Sequence, residues 1–390
     1  MFFVFAATRK LLIAFSLLFL AVLLSSCAPG GFGGGPSITP GKPIPVALLV
    51  PGGSQNSGDE IIAQSLTNAA RLAIADLDGV NIDLRVYNTA GQADMAASAA
   101  RQAADDGAKI ILGPVFAQSA VAAGNAVASR NINVLAFSNN PAVAGGNVFI
   151  LGTTFQNTAN RLVAHAVAQG KDQIMIIHAE DAAEQAGRDA IARAIAANGA
   201  TLIGVEPFEL SQQGVIDAVR PISQDIKSRG AEAIFLTSGT SGALPFLAQL
   251  LPENGVDVDS VQYIGLQRWD IPASALSLPG LQHGWFALPD PGMSESFKSR
   301  YNATYGSNPH PIAGLAYDGI AAIGALAAQG KSDALTRDAL TQPAGFVGVN
   351  GVFRLLPDGT NERGLAVATI QDNQVVIVDP APRSFGAAGL

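Results

Sequence analysis

The residues able to do covalent or metal chemistry are few and scattered. The 390-residue chain has one cysteine, Cys27, and four histidines, His165, His178, His283 and His310. Zinc needs several nitrogen or sulfur ligands at short spacing, and no two of these residues stand four apart on one helix face. The stretch GTSGA at 239–243 approaches the Gly-x-Ser-x-Gly turn of a hydrolase nucleophile. It lacks the second glycine at the right offset and an evident histidine partner. GGFGGG at 30–35 leads into no strand-to-helix turn, so it is spacer and not a phosphate cradle. These residues point to no enzyme, no cofactor and no metal. What remains is the lone thiol and a set of hydroxyl and amide side chains at strand ends.

Cys27 lies in LLSSCAPGGFGGGPSITPG (23–41). Arg9 and Lys10 are the only charges before it, and 11–24 is apolar apart from Ser16. As a helix that run rises about 21 Å, short of the roughly 30 Å hydrocarbon core. Basic residues, a short apolar run and small residues make 1–26 a secretory signal. Residues 27–43, with Gly and Pro and no apolar period, read as a flexible tether. Leu24-Ser25-Ser26-Cys27 resembles the lipobox of bacterial lipoproteins. That resemblance implies diacylglyceryl transfer to the Cys27 sulfur, cleavage before it and acylation of the new amine. Several acyl chains anchor firmly where one would not. Ala28 is not the aspartate associated with inner-membrane retention, so the resemblance implies a periplasmic protein anchored in the outer membrane in preference to the inner.

The chain carries 23 basic and 31 acidic residues; without Arg9 and Lys10 the balance is 21 against 31, a net charge of −10. An acidic chain with no basic cluster is a poor partner for nucleic acid. A single cysteine forms no internal disulfide, so stability must come from core packing.

Short apolar runs alternate with alanine-rich helical segments. VALLV (46–50), IDLRVYN (82–88), IILG (110–113) and VLAFS (134–138) read as strands, separated by helices over 60–77, 92–106 and 118–130. A second series follows. Strands IMIIH (174–178), TLIGVE (201–206), AIFLTS (233–238) and VQYIG (261–265) alternate with helices over 155–169, 184–198, 216–229 and 244–251. Continuous apolar strands between helices mean a parallel sheet covered on both faces. The expected fold is therefore α/β, with two doubly wound parallel-sheet lobes. GVFRL (351–355), LAVATI (365–370) and QVVIV (374–378) break the pattern as close strands, the last two joined by a DNQ hairpin turn.

In open α/β sheets ligands sit beyond the carboxyl ends of the strands. Those ends hold the candidate ligand residues: Ser54, Ser119, Ser138 and Asn139 in the first series; Glu184, Thr237, Ser238, Gln267 and Trp269 in the second. Hydroxyls, amides and free helix-start N–H groups suit a small polar ligand.

The order and spacing of PVALLVPGGSQNSGDEIIAQSLTNAARLAIADL, ILGPVFAQSAVAA, NVLAFSNNPAVA, YDGIAAIGALAAQ and GFVGVNGVFRLLPDGTNERGLAVATI resemble the type 1 periplasmic binding proteins, in particular the leucine/isoleucine/valine-binding group. The resemblance implies two lobes joined by a three-stranded hinge that close on a ligand. It implies lobe one at 44–152 plus 292–345 and lobe two at 153–291 plus 346–380, with crossings near 151–154, 288–291 and 344–347 and a tail at 381–390. It also matches Ser119 and Ser138 to positions holding the carboxylate of an amino-acid ligand. Where that group places a tyrosine this chain has AAEQAG around Glu184, and where it places the acid for the ammonium this chain has Leu266-Gln267. LQRWD (266–270) and PDGTNERGLAV look more like lipoproteins of this fold described as penicillin-binding protein activators. The resemblance thus implies a non-enzymatic lipoprotein regulating peptidoglycan synthesis through a cell-wall synthase. The alternative is the binding component of an ABC permease that imports an amino acid or amide.

Overall fold

The structure, a computed structural model, describes residues 36–386. The expected signal, Cys27 and most of the tether lie outside the described residues, as do 387–390.

The first lobe opens with β1 (Ile44–Val50), α1 (Ser57–Ala75), β2 (Ile82–Asn88), α2 (Ala93–Asp105), β3 (Ile110–Leu112), α3 (Ala117–Val127), β4 (Asn133–Ala136) and β5 (Val148–Ile150). Its sheet runs β2-β1-β3-β4-β5, all parallel. The central strands are apolar throughout because helices cover both faces. Val46, Leu48 and Val50 pack with Leu66, Ala69 and Ala73 of α1, while Ala47 and Leu49 pack with Ala100, Ala103, Ala120 and Ala123 of α2 and α3. Alanine on that second face lets two helices lie close to the sheet, which accounts for the alanine-rich composition.

The second lobe follows with α4 (Phe155–Ala168), β6 (Gln173–Ala179), α5 (Ala182–Ala197), β7 (Thr201–Phe208), α6 (Gln212–Arg229), β8 (Ala233–Leu236), α7 (Leu244–Glu253), β9 (Gln262–Gly265) and β10 (Trp285–Leu288). The chain then returns to the first lobe as α8 (Pro291–Tyr305), α9 (Gly314–Ala327) and α10 (Arg337–Leu340). Phe297, Tyr301, Ile320 and Ile323 of this return share a core with Leu48. It ends with β11 (Phe346–Gly348), β12 (Gly351–Leu355), β13 (Asn361–Arg363), β14 (Ala366–Gln371) and β15 (Gln374–Asp379). The second sheet runs β15-β14-β10-β9-β8-β6-β7. Its stretch β7-β6-β8-β9-β10 repeats the order of the first sheet, and β14 and β15 extend it antiparallel.

Four boundaries differ from the sequence reading. The third crossing expected near 344–347 lies inside the first lobe, because Phe346, Val349, Phe353 and Leu355 belong to its core; Leu365 and Val367 are the first residues after it in a second-lobe core. GVFRL is not part of the same sheet as the two strands after it: it pairs with β11 and β13 in a separate three-stranded sheet. Apolar alternation shows that a segment is a strand but not which sheet it joins. The tether ends earlier than 43, since Ile38 is buried in the first-lobe core and its N–H donates to Ser332 O at 2.9 Å. The tail expected from 381 is anchored in part: Ala381 is buried and Pro382 and Phe385 are half-buried, while Arg383, Ser384 and Gly386 are exposed. The DNQ turn is as read: Asp372 and Asn373 both have positive φ, 51° and 61°, the backbone of a tight two-residue hairpin.

Around the crossings the first lobe is braced by buried polar groups, and Asn157 of α4 joins them from the second. Arg363, 2 % exposed, donates to Asp318 Oδ2 at 3.0 Å and to Leu151 O at 2.8 Å; Asp318 is fully buried. Asp318 also accepts from Val349 N (2.8 Å) and Asn350 Nδ2 (3.1 Å). Asn361 Nδ2 donates to Ile150 O and Gly152 O, and Asn157 Nδ2 donates to Asn361 O at 2.8 Å. An ion pair this dry persists only with its lone pairs and protons satisfied. Here they hold β5, α9, β11 and β13 to one another.

Candidate functional site

Each lobe has one topological switch point, where neighbouring strands lead to helices on opposite faces and leave a crevice. In the first sheet it falls between β1 and β3, in the second between β6 and β8. The loops there are 51–56 and 113–116 in the first lobe, 180–181 and 237–243 in the second.

In the second lobe the crevice is closed by its own side chains. Glu184, in the first turn of α5, is 9 % exposed. Its carboxylate accepts from Ala179 N (2.7 Å), Thr237 Oγ1 (2.8 Å) and Ser238 Oγ (2.7 Å). Thr237 and Ser238 are themselves buried. Gln267 is exposed, but its Nε2 donates to Thr237 O at 3.0 Å, so it braces the same loop. Asp181 caps α5 by accepting from Ala183 N and Glu184 N. Asp270 is paired with Arg268 at 2.8 Å. Glu184, Thr237 and Ser238, expected from the sequence to face a ligand, are hydrogen-bonded to one another.

Trp269 is not a ligand-facing aromatic. It is fully buried in the second-lobe core beside Phe286, ring centroids 6.0 Å apart. The indole occupies space left by Gly265 and Gly284, where a Cβ on either residue would collide with it. Two glycines on neighbouring segments are what lets so large a ring lie there.

In the first lobe the two serines also turn inward. Ser119 donates to Gly91 O at 3.4 Å and is 1 % exposed; Ser138 accepts from Asn140 N at 3.1 Å and is 5 % exposed. Ser54 is half-buried and accepts from Asn56 N at 3.1 Å, and Asn139 is exposed. The unspent donors are in the backbone. α1 is capped by Asn56, α5 by Asp181 and α6 by Ser211, but α3 begins after Phe116, which provides no side-chain cap. α2 and α7 also start without one, but α2 follows the edge strand β2, away from the switch point, and α7 has Pro245, which carries no N–H, in its first turn. The first N–H groups of a helix have no partner within it, and together they carry a partial positive charge. At α3 these are Ala117, Gln118 and Ser119, at the carboxyl edge of β3. Three large apolar side chains stand exposed on loops at the same strand edges: Phe116 after β3, Leu210 after β7 and Ile271 after β9. The sequence points to helix-start N–H groups in general, but its polar side-chain chemistry does not mark α3 as the start that leaves them uncapped. The sequence signal for them is Phe116, an aromatic at a helix start where a capping Ser, Thr, Asp or Asn would be usual.

The histidines lie apart from these loops or are internally bonded. His178 ends β6 with Nδ1 2.8 Å from Ala179 O. His165 on α4 stacks edge-on against Trp285, centroids 4.6 Å apart, and meets Asp379 at 3.3 Å. Burial pushes the His165 imidazole below its ordinary value, against the pull of Asp379. Burial also pushes the Asp379 carboxyl up, but Arg161 at 2.8 Å and His165 outweigh it and hold it below the carboxylate range.

The family profile described as periplasmic binding protein matches residues 43–374. The chain belongs to the periplasmic binding protein family. Solved structures of this fold are similar over most of their length. A putative branched-chain amino acid ABC transporter from Rhodospirillum rubrum superposes with a TM-score of 0.74 at 17 % identity, covering 86 % of this chain and 100 % of that one. A branched-chain amino acid ABC transporter periplasmic ligand-binding protein from Burkholderia xenovorans gives 0.68 at 19 % identity, covering 87 % and 96 %. An ABC transporter substrate-binding protein from Desulfitobacterium hafniense in complex with Leu gives 0.63 at 17 % identity, covering 86 % and 100 %. At these identities the likeness is one of fold. No curated protein matches the sequence. The two parallel-sheet lobes are those of a periplasmic binding protein, a non-enzymatic family whose fold serves ligand binding.

Proposed function

We propose that this periplasmic binding protein is a receptor that takes a small carboxylic acid lacking an ammonium group and presents it to an ABC permease, lipid-anchored through Cys27. The observation that supports this most is the asymmetry of the two crevices. The first lobe offers the uncapped start of α3 beside the exposed Phe116 ring, good partners for a carboxylate on an apolar body. In the second, the Glu184 carboxylate is sealed by three donors, and Gln267, which the resemblance matches to an acid in amino-acid binders, is neutral. The similar structures are described as ABC transporter proteins, which supports a permease as partner.

A thermal-shift screen of the full chain carrying Cys27→Ser tests the reading. Aliphatic and aryl monocarboxylates are compared with their α-amino counterparts. A ligand at a hundred times its dissociation constant adds about 2.7 kcal/mol, which reads as several degrees. Stabilisation by at least one acid but not by its amino counterpart is the expected result; the reverse order would overturn it.

The same knot of side chains favours a second reading, an activator of a cell-wall synthase. Thr237 and Ser238 are spent inside the second lobe and the Gln267 Nε2 on Thr237 O, which leaves it few groups for a transported solute. Under that reading no solute stabilises the protein, and the tethered, ligand-free form retains a peptidoglycan synthase from solubilised membranes.

The anchor has its own test. Cys27→Ser abolishes lipid attachment, so the variant is expected in the soluble or unprocessed fraction with unchanged circular dichroism. Full processing with continued partition into membranes would refute the lipid anchor.

A further inference from the structure

The chain does not trail away after its last strand. β15 ends at Asp379, fixed to the second lobe by Arg161 and His165, both on α4. Arg161 also donates to Pro380 O at 3.3 Å. From there the chain crosses to the other lobe. Ala381 is 7 % exposed. Pro382 packs on Gly364, where a Cβ would lie 3.0 Å from its ring. Together with Arg383 it walls a hollow of about 360 Å³ whose other side is Asp290, Gly292, Met293, Val347 and Val352. Phe385 then lies under the Arg354 guanidinium, 4.7 Å from the ring centroid, and against Gly345. Arg354 is on β12, whose Phe353 and Leu355 are in the first-lobe core, and it is held there by Glu362 at 2.6 Å.

We propose that residues 380–386 form a strap that restrains the hinge: with Phe385 seated under Arg354, the two lobes are tied together by a link additional to the three crossings. Seven residues reach at most about 25 Å when fully extended. A strap fixed at Asp379 on one lobe and Phe385 on the other therefore limits any rotation that separates those points. The weaker end is Phe385, whose seat is a half-exposed cation–π contact and not a buried ion pair. Release at that end leaves the three crossings and their buried ion pair intact, and lets the lobes sample a wider range of openings. Since a ligand binding only one opening sees its affinity reduced by the fraction of other states, the strap would also set apparent affinity.

The test is a distance measurement between spin labels at Gln55→Cys and Ser241→Cys, exposed residues on the strand-end loops of the two lobes, in the full chain with Cys27→Ser. The parent, Phe385→Ala, Phe385→Tyr and a chain ending at Pro380 are compared without added ligand. The expected result is a broadened and displaced distance distribution for Phe385→Ala and the truncated chain. Phe385→Tyr keeps the ring and is expected to match the parent. Should the truncated chain fail to fold, the Phe385→Ala and Phe385→Tyr pair decides alone. A distribution for folded Phe385→Ala that superimposes on the parent's would overturn the proposal, whatever happens to its melting temperature.

Discussion

Arg363→Met will cost about 3–5 kcal/mol, because it leaves the Asp318 carboxylate charged, buried and without its cation. For a chain of this size that is a fall of roughly 4–8 °C in melting temperature. The partner remains hydrogen-bonded to Val349 N and Asn350 Nδ2, so those two bonds temper the loss without replacing the charge. Leu151 O loses its donor as well. The double change Arg363→Met with Asp318→Asn removes both charges and keeps an acceptor for Val349 N. It is expected to recover at least half of the loss, since the penalty for an orphaned charge exceeds the net value of the pair. Thermal unfolding of the two variants decides it: a double variant no more stable than Arg363→Met would show that the pair acts through shape and not through charge.

Local periodicity and long-range pairing differ in how far a sequence reveals them. The parallel lobes are legible because β1, β3, β4, β6 and β8 are short apolar runs separated by helices with a buried alanine or leucine face. Each rests on a local pattern, which the fold preserves. The pairing of Arg363 with Asp318 is not legible, since 45 residues and a change of sheet lie between them. A clue is present: Asp318 is an acid within the otherwise apolar helix GLAYDGIAAIGALA, which has no reason to bury a carboxylate unless a cation arrives from elsewhere. The third crossing is misplaced by sequence for the same reason. β12 and β14 are both apolar strands, and only the tertiary partners of Phe353 and Val367 put them in different lobes.

The strand-end loops are legible in the sequence, but the bonding of their side chains is not. Strand ends mark the loops as places where polar residues gather. They do not show whether a hydroxyl faces outward or is already bonded. Ser119, Thr237 and Ser238 turn inward to partners on nearby segments, and Ser138 accepts from Asn140 N in its own loop. Trp269 misleads because a tryptophan in a polar loop looks like a ligand platform; the two glycines that admit it to the core, Gly265 and Gly284, are 19 residues apart and adjacent only across strands. The uncapped groups at the start of α3 are backbone N–H donors, which nearly every residue carries and no polar side chain singles out.

Free leucine, isoleucine and valine will bind with dissociation constants above about 0.1 mM, less than roughly 5.5 kcal/mol of binding free energy. A zwitterion enclosed between two lobes needs both ends matched, and an unpaired charge removed from water costs several kcal/mol even after relaxation. On the proposed reading the carboxylate end has partners at the start of α3. The ammonium end does not. Glu184 would have to give up Ala179 N, Thr237 and Ser238, three bonds of 2.7–2.8 Å, to turn outward. Asp181 is spent as the cap of α5 and Asp270 on Arg268. Glu180 and Glu209 stand exposed in water, where a single surface pair contributes about 0–1 kcal/mol. Gln267 offers a neutral oxygen, weaker toward a cation than a carboxylate by about half. Calorimetry on the Cys27→Ser chain measures this directly, and micromolar binding of any of the three would show that the second lobe rearranges to free an acid. Glu184→Gln separates the two cases. If Glu184 is structural, the variant loses stability and gains no ligand; if it is the ammonium partner, the variant loses whatever amino-acid binding the parent has.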